Sequence, residues 1–452
     1  MFTFPPEITT VMAAFAPLFS EAVWYYAQTL LIGAILAPGK RTVSAVLYVL
    51  GQKDDAQYQN YHRVLNRAEW SSFSGSKILL GLLVAAFIAV GGSVIIGADE
   101  TLERRQGEKI KNKSVFRDAV RSSKKYTVHS FGLRWVSMML IVAVPWSSRP
   151  WGLPFLTVAA PSKKTNEANG KKHKTSIELI MQMIGVVRHW LPEQTIVLVT
   201  DGGLAAIKLG LHCAKLANSV TYVSRLRLDA QLYDEPPEQP ASKTGPKPKK
   251  GTRQPSLKIR LEDQNTVWTR LSMPWYGGKK YVIEVVSSIS LWHTSGFDPL
   301  PIRWVLVRDP SGKYKPTAFF CTDVLVTPLQ ILSWFILRWN VEVTFQEVKA
   351  HLGFGTQRQW SDLAIARTTP ALLALFSIVT LLAYHLTRDK TFNIRSSAWY
   401  DKKEATFSDA LALVRRVIWT KIKFSQSPQD PDPVLIPPPI LHGLVDAMCY
   451  MT

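Results

Sequence analysis

Two aspartates stand where a carboxylate can do chemistry. Asp99 follows the apolar run VIIGA and Asp201 follows IVLVT, so each is expected just past the end of a short buried strand. Carboxylates leaving adjacent strand ends converge at the sheet edge, where open α/β sheets place their sites. Two such oxygen donors suit Mg²⁺ or Mn²⁺, which take carboxylate and water and tend to meet a substrate phosphate. Either aspartate taken alone reads more simply as a cap on the following turn.

A third segment changes that balance. In WFILRWNVEVTFQEVKAHLG, Phe335, Arg338, Glu342 and Lys349 are separated by 3, 4 and 7 positions. At roughly 100° per residue the last three fall about 60°, 20° and 40° from Phe335, so one helix stripe carries an acid between two cations. Leu332, Ile336, Trp339 and Val343 form a second stripe, expected to bury against a sheet. Glu347 lies about 140° round from Glu342 and is expected to point elsewhere. The plain alternative is a surface ladder of oppositely charged side chains, worth a few tenths of a kcal/mol. No GxSxG, HExxH or GxxxxGK[ST] pattern offers a different chemistry.

The stripe resembles the Tyr-Arg-Glu-Lys (YREK) signature of bacterial insertion-sequence transposases with an RNase H-like DDE core. Phe335, Arg338, Glu342 and Lys349 fit its spacing, with phenylalanine in place of the tyrosine. The segment ADETLERRQGEKI from Ala98 and the VTDGG at 199–203 resemble that group's first and second aspartate regions. The resemblance covers roughly residues 93–355. It implies Asp99, Asp201 and Glu342 as catalytic ligands of two Mg²⁺ ions, replaceable by Mn²⁺, with Arg338 and Lys349 on phosphates near the scissile bond. It further implies a transposase that cleaves element ends and joins them to target DNA, working as a homodimer on double-stranded DNA. The alternatives are a transposase-derived DNA-binding protein and an RNase H-like nuclease without strand transfer.

Several elements must position these groups. The fold class expected is α/β: an RNase H-like mixed sheet with a helical N-terminal domain, a β-rich insertion and a helical C-terminal segment. The divisions read as 1–75 (helical, DNA-end binding), 76–224 (first part of the core), 225–320 (insertion), 321–390 (last part of the core, with the Glu342 helix) and 391–452. Within the first, Arg41, His62, Arg63 and Arg67 would lie near one another if the helices form a bundle. Arg63 and Arg67 are the DNA-contact candidates there, and a solvated helix face is the competing reading. His129 and Arg104-Arg105 are further candidates for DNA contact beside the first aspartate. Trp268, Trp275 and Trp292 in the insertion could stack on an extruded base, although tryptophans in strands are usually core. The basic linker at 243–253 could touch flanking DNA or be a solvated loop. One long helix is expected at 327–352, another at 360–387 and a basic one at 405–423.

Bulk composition fits the same class. The 452 residues carry 54 Lys and Arg against 34 acids, a net +20 that favours a polyanionic partner. At 47% hydrophobic residues the chain has ample material for packed cores, which excludes general disorder. Cys213, Cys321 and Cys449 are too far apart for a zinc ribbon or a disulfide framework. The start, MFTFPPEITT, lacks a signal peptide's basic region and apolar stretch, so a cytoplasmic, nucleoid-associated location is expected. Residues 78–98 and 368–387 are apolar runs near membrane-spanning length. They read as a buried helix followed by a strand and as a core helix, with no membrane partner.

Overall fold

The computed structural model describes residues 4–238, 247–275, 280–387, 394–395, 397–399, 401–420 and 437–452. Residues 243–246 of the basic linker and 421–423 of the basic helix lie outside them. The chain opens with five helices, α1 (Pro6–Ala13), α2 (Glu21–Leu36), α3 (Val43–Val49), α4 (Tyr58–Asn66) and α5 (Ser72–Phe87). Then come β1 (Val94–Arg104), β2 (Ser114–Arg117), β3 (His129–Val144) and β4 (Ser147–Ala159). α6 (Lys163–Ala168) and α7 (Ser176–Trp190) lead to β5 (Ile196–Thr200), α8 (Ile207–Lys215) and β6 (Thr221–Leu226). α7 starts on a capping box in which Thr175 and Glu178 each bond the other's backbone N–H.

Strands β4-β3-β1-β5-β6 form the RNase H-like core. β1, β3 and β4 are an antiparallel meander, and β5 and β6 run parallel to β1. Parallel strands need cover on both faces, and β5 accordingly reads as an unbroken buried run, IVLVT. Its alternate residues divide the interior. Val197 and Val199 pack with Val223, Val305 and Phe319 on one face, and Ile196 and Leu198 pack with Ile180, Ile184 and Leu209 on the other.

The strand-rich stretch after β6 does not form its own layer. It comprises β7 (Leu232–Tyr233), α9 (Leu257–Glu262), β8 (Thr269–Pro274), β9 (Lys280–Trp292), β10 (Leu300–Arg308) and β11 (Thr317–Cys321). β11 pairs antiparallel with β6, so the core sheet continues through β11-β10-β9 to 11 strands among the described residues. In this extension Trp275 is buried, Trp292 packs on Phe320 with centroids 5.0 Å apart, and Arg308 lies over Trp268 at 4.1 Å. These are packing roles.

α10 (Pro328–Leu337) and α11 (Trp339–His351) replace the single helix expected at 327–352. The break falls at Arg338. Its N–H donates to the Phe335 carbonyl at 3.1 Å, and Val341 N–H donates to the Arg338 carbonyl at 2.9 Å. These i to i+3 bonds tighten the turn. The buried face is Ile331, Leu332 and Phe335, then Val341, Thr344, Phe345 and Val348, and Trp339 is exposed. The stripe expected to bury through Ile336, Trp339 and Val343 does not: Ile336 and Val343 are half-buried and Trp339 is exposed, because Ile331, Leu332 and Phe335 pack with Val199 and Phe319, and Val341 with the main core, instead.

α12 (Asp362–Leu386), α13 (Phe407–Trp419) and α14 (Pro438–Tyr450) complete the chain. α12 is long and apolar enough to cross a membrane by length and composition, and 83% of its apolar window is buried inside the fold. α1, α2, α3 and α5 share its core cluster, since Ile8, Ile32, Ile35, Val46 and Leu80 pack with Leu372, Phe376 and Val379. Two buried arginines lock that side. Arg367 on α12 donates to the carbonyls of Val64 and Leu65 in the last turn of α4 and of Ala68 and Trp70 beyond it. Arg415 on α13 donates to those of Ile35, Ala37, Cys449 and Met451. Carbonyls at helix ends lack intrahelical partners, and these guanidiniums supply them.

Candidate active site

β1 and β5 align Ala98 with Thr200, the last residue of β5. Asp201 comes next and turns away into a 3-10 turn at Gly202–Leu204. Asp99 is not past a strand end, as its sequence context suggested. β1 continues to Arg104, still paired with β3, and Asp99 sits opposite Ser137. What ends beside Asp99 is its neighbour, so β1 loses its β5 edge there and the two aspartates come side by side.

Glu342 arrives from above on the first turn of α11. Two glycines let that helix approach the sheet. A Cβ on Gly97 would lie 2.4 Å from Val341 Cγ2, and one on Gly152 would lie 3.3 Å from both the Asn340 carbonyl and Thr344 Oγ1. Thr344 Oγ1 donates to the Gly152 carbonyl at 2.7 Å, pinning the helix to β4. Side chains of ordinary size at 97 and 152 would hold Glu342 off the aspartates.

The three carboxylates meet on one cation. From the α10–α11 break, Arg338 Nη1 donates to Glu342 Oε1 at 2.8 Å and lies 3.6 Å from Asp99 Oδ2. Its Nε lies 3.9 Å from Asp201 Oδ1 and makes no hydrogen bond. The arginine is 5% exposed, against 20% for Asp99, 35% for Glu342 and 42% for Asp201. The cluster therefore has a buried cationic floor and a solvent-facing carboxylate rim.

Burial raises the Asp99 carboxyl to about 6. The Glu100 N–H, which donates to Oδ1 at 2.7 Å, and Arg338 oppose that rise, while the charges of Asp201 and Glu342 add to it. Burial also works against the charge of Arg338, but Asp201, Glu342 and Asp99 outweigh it and hold the guanidinium above its ordinary value. Among the described residues no three His, Cys, Asp or Glu groups stand close enough, as placed, to share a metal ion. The donor set is nonetheless that of a hard divalent cation, and its carboxylates are already gathered on positive charge.

Residues 14–280, more than half of the chain, match the family model of DDE superfamily endonucleases. The chain belongs to that superfamily. The matched span contains Asp99 and Asp201 and ends before Glu342. DDE endonucleases generally use divalent metal ions. Among solved structures, a piggyBac transposase synaptic complex with hairpin DNA aligns at a TM-score of 0.40 and 9% identity, covering 98% of this chain and 83% of that one. No curated protein matches.

The other candidate residues of this endonuclease separate into near and far. Phe335 is buried against Phe319, centroids 4.6 Å apart, so it packs under the site and presents no surface. Lys349 lies about 10 Å beyond Glu342 along α11, by the helical rise. It is half-buried beside Phe354, and burial followed by Arg104 lowers its pKa, with Asp118 opposing. The fold therefore does not bring it into the carboxylate cluster. Glu347 points away and pairs with His351 at 3.2 Å.

Arg63 and Arg67 are exposed at the end of α4, Arg63 bonding Asn60 at 3.1 Å, and His62 and His129 are exposed as well. Arg41 is not with them. It is buried, lowered to about 9 by burial and by Arg415, and spends its donors on the carbonyls of Ala34, Gly39 and His351. Arg104 is held by Asp118 at 2.6 Å and Arg105 by Glu103 at 2.8 Å, so both are structural ion pairs. One near residue escaped the sequence reading. Arg225 on β6 lies against the Asp201–Gly202 corner, 3.2 Å from where a Gly202 Cβ would be, and over Phe335 at 5.5 Å. It is exposed, and nothing in VSRLRL set it apart from other strand arginines.

Proposed function

We propose that this chain is a transposase of the YREK insertion-sequence type, cleaving the ends of a mobile element and joining them to target DNA. The observation carrying this reading is the meeting of Asp99, Asp201 and Glu342, from three separate chain segments, around the Arg338 guanidinium. Superfamily membership supports nuclease chemistry, and the net +20 supports a DNA partner.

In this reading the three carboxylates hold Mg²⁺ or Mn²⁺, with two ions as the working stoichiometry. When bound, such ions supply the Lewis acidity for attack of water or a 3′-hydroxyl on phosphorus and for departure of the 3′ oxygen. The protein's own contribution is positioning and charge. Gly97 and Thr344 set the height of Glu342 above the sheet. Arg338 limits repulsion among the carboxylates before DNA arrives, and it and Arg225 supply positive charge beside the phosphate path. Lys349, Arg63 and Arg67 are assigned to DNA further out. Joining two element ends calls for two active sites, so a homodimer on double-stranded DNA is part of the proposal, as is a cytoplasmic, nucleoid-associated location.

The test is a cleavage and strand-transfer assay on DNA carrying the element's own ends, with Mg²⁺ or Mn²⁺. Wild type is expected to cut and join. Glu342→Gln should lose both by at least about 10³-fold while still binding DNA, and Glu347→Gln should stay near wild type. Full activity in Glu342→Gln would remove Glu342 from the site. Binding by wild type without any cutting would favour a transposase-derived DNA-binding protein.

A further inference from the structure

A second feature lies along β1 from the carboxylates. The loop at 353–361 carries Trp360, which is 59% exposed, and Arg358, also exposed. A large aromatic at a loop tip is ordinarily mobile, but this one sits on a braced support. Gly353 and Gly355 take positive φ (64° and 87°) to form the turn. Gln357 is buried, accepting from Gly355 N–H at 2.7 Å and donating to Thr369 Oγ1 at 3.4 Å. Arg105 donates to the Gln359 carbonyl. Beneath them the fully buried Glu103 carboxylate accepts from Arg105 at 2.8 Å, Thr369 at 2.8 Å and Trp135 Nε1 at 2.9 Å. A buried, fully bonded carboxylate on the same strand as Asp99 thus holds the loop that displays Trp360.

Trp360 divides two clefts. On one side is a cavity of about 570 Å³ lined by the 104–110 loop, Arg358 and Trp360, with Lys109 Nζ 5.6 Å from the indole centroid. On the other is one of about 310 Å³ reaching His62 and Asn66 of α4, the helix that carries Arg63 and Arg67. An exposed indole flanked by Lys109 and Arg358 combines a stacking face with phosphate-binding charge, the pairing by which proteins hold unpaired nucleotides. A duplex, whose bases are stacked internally, has no use for the indole face.

We propose that Trp360, Lys109 and Arg358 form a binding site for a single-stranded stretch of DNA. It rests on the reading of this chain as a DNA-cutting enzyme. Glu103 is four residues beyond Asp99 on β1, about 13 Å at strand rise. The loop that Glu103 braces therefore stands off the Arg104 end of the same strand that carries Asp99. One DNA strand can occupy both places, and the loop orients DNA that the carboxylates act on.

The test uses the full chain and two fluorescent probes, a 12-nucleotide oligothymidine and a blunt 20-base-pair duplex of mixed sequence, with binding followed by anisotropy. Trp360→Ala is expected to weaken oligothymidine binding about 10-fold and leave the duplex within about twofold, in keeping with the usual stacking contribution. Trp360→Phe should recover most of the loss. The double variant Lys109→Ala/Arg358→Ala should lower the salt slope for oligothymidine by about 1.4, two phosphates' worth. Oligothymidine binding by Trp360→Ala within twofold of wild type, or equal loss of both probes, overturns the proposal. Failure here with intact metal-dependent cleavage removes this site alone, and wild type binding neither probe removes the DNA-acting reading with it.

Discussion

Two groups of buried arginines in the molecule work differently. On the helical side Arg41, Arg367 and Arg415 give their donors to backbone carbonyls, and burial lowers all three, Arg41 to about 9 and Arg415 to about 10. At the sheet centre Arg338 faces three carboxylates, keeps its Nε unbonded and is held above its ordinary value. The first kind cements helix ends, where each carbonyl left without a donor costs stability. The second kind gathers like charges that would otherwise repel and leaves their other lone pairs free. Buried arginine alone therefore does not mark a site. What sets the candidate site apart is an arginine whose partners are ionic and partly solvent-facing.

Removing a cementing arginine should have the largest effect on stability. Arg415→Leu leaves four carbonyls at the joins of α2, α13 and α14 without donors, at a cost of about 3–5 kcal/mol. Chemical denaturation should find a lowered midpoint that Mn²⁺ does not restore.

Asp99→Asn sharpens the contrast through pH. The folded state holds the Asp99 proton up to about pH 6, well above an unfolded aspartate near 4. Ionisation of Asp99 therefore weakens the fold as pH rises from about 4 to 6, by up to about 2–3 kcal/mol. Without metal, the variant should equal wild type below about pH 4 and exceed it above about pH 6 in thermal melts. A stability gap that does not change with pH would contradict the burial of this carboxylate.

Gly97→Ala places a methyl 2.4 Å from Val341 Cγ2. Overpacking of this kind costs about 1–3 kcal/mol, and lifting α11 should depress cleavage more than stability. The smallest stability effect is expected from Arg338→Gln, about 1 kcal/mol without metal, because the carboxylates can turn toward water. Millimolar Mn²⁺ should recover that loss, in contrast to Arg415→Leu, whereas DNA cleavage should remain impaired. Equal metal rescue of both variants would erase the distinction between the two kinds of arginine.

Much of the candidate site was legible because it obeys local pattern. IVLVT before Asp201 is a buried strand with an acid after it, and the four-residue spacing of Arg338 and Glu342 places them on one helix flank. The illegible features depend on pairing or on subtle geometry. Asp99 looked terminal because ETLER is polar, yet those residues stay in the strand through bonds to β3, from which they are far in sequence. The break at Arg338 has no glycine or proline to announce it, since its φ and ψ (−53°, −33°) remain helical. The 225–320 stretch read as an insertion, and its continuation of the core sheet rests on β6 pairing with β11 across nearly a hundred residues. Arg225 is an ordinary strand arginine until the Asp201 corner folds against it.

Mn²⁺ binding followed by electron paramagnetic resonance tests most directly whether Asp99, Asp201 and Glu342 act as one metal-holding unit. The comparison sets wild type against Asp99→Asn, Asp201→Asn, Glu342→Gln and Glu347→Gln. Each of the first three variants is expected to weaken binding at least about 10-fold, with Glu347→Gln unchanged. Wild-type affinity in Glu342→Gln would contradict a shared metal site.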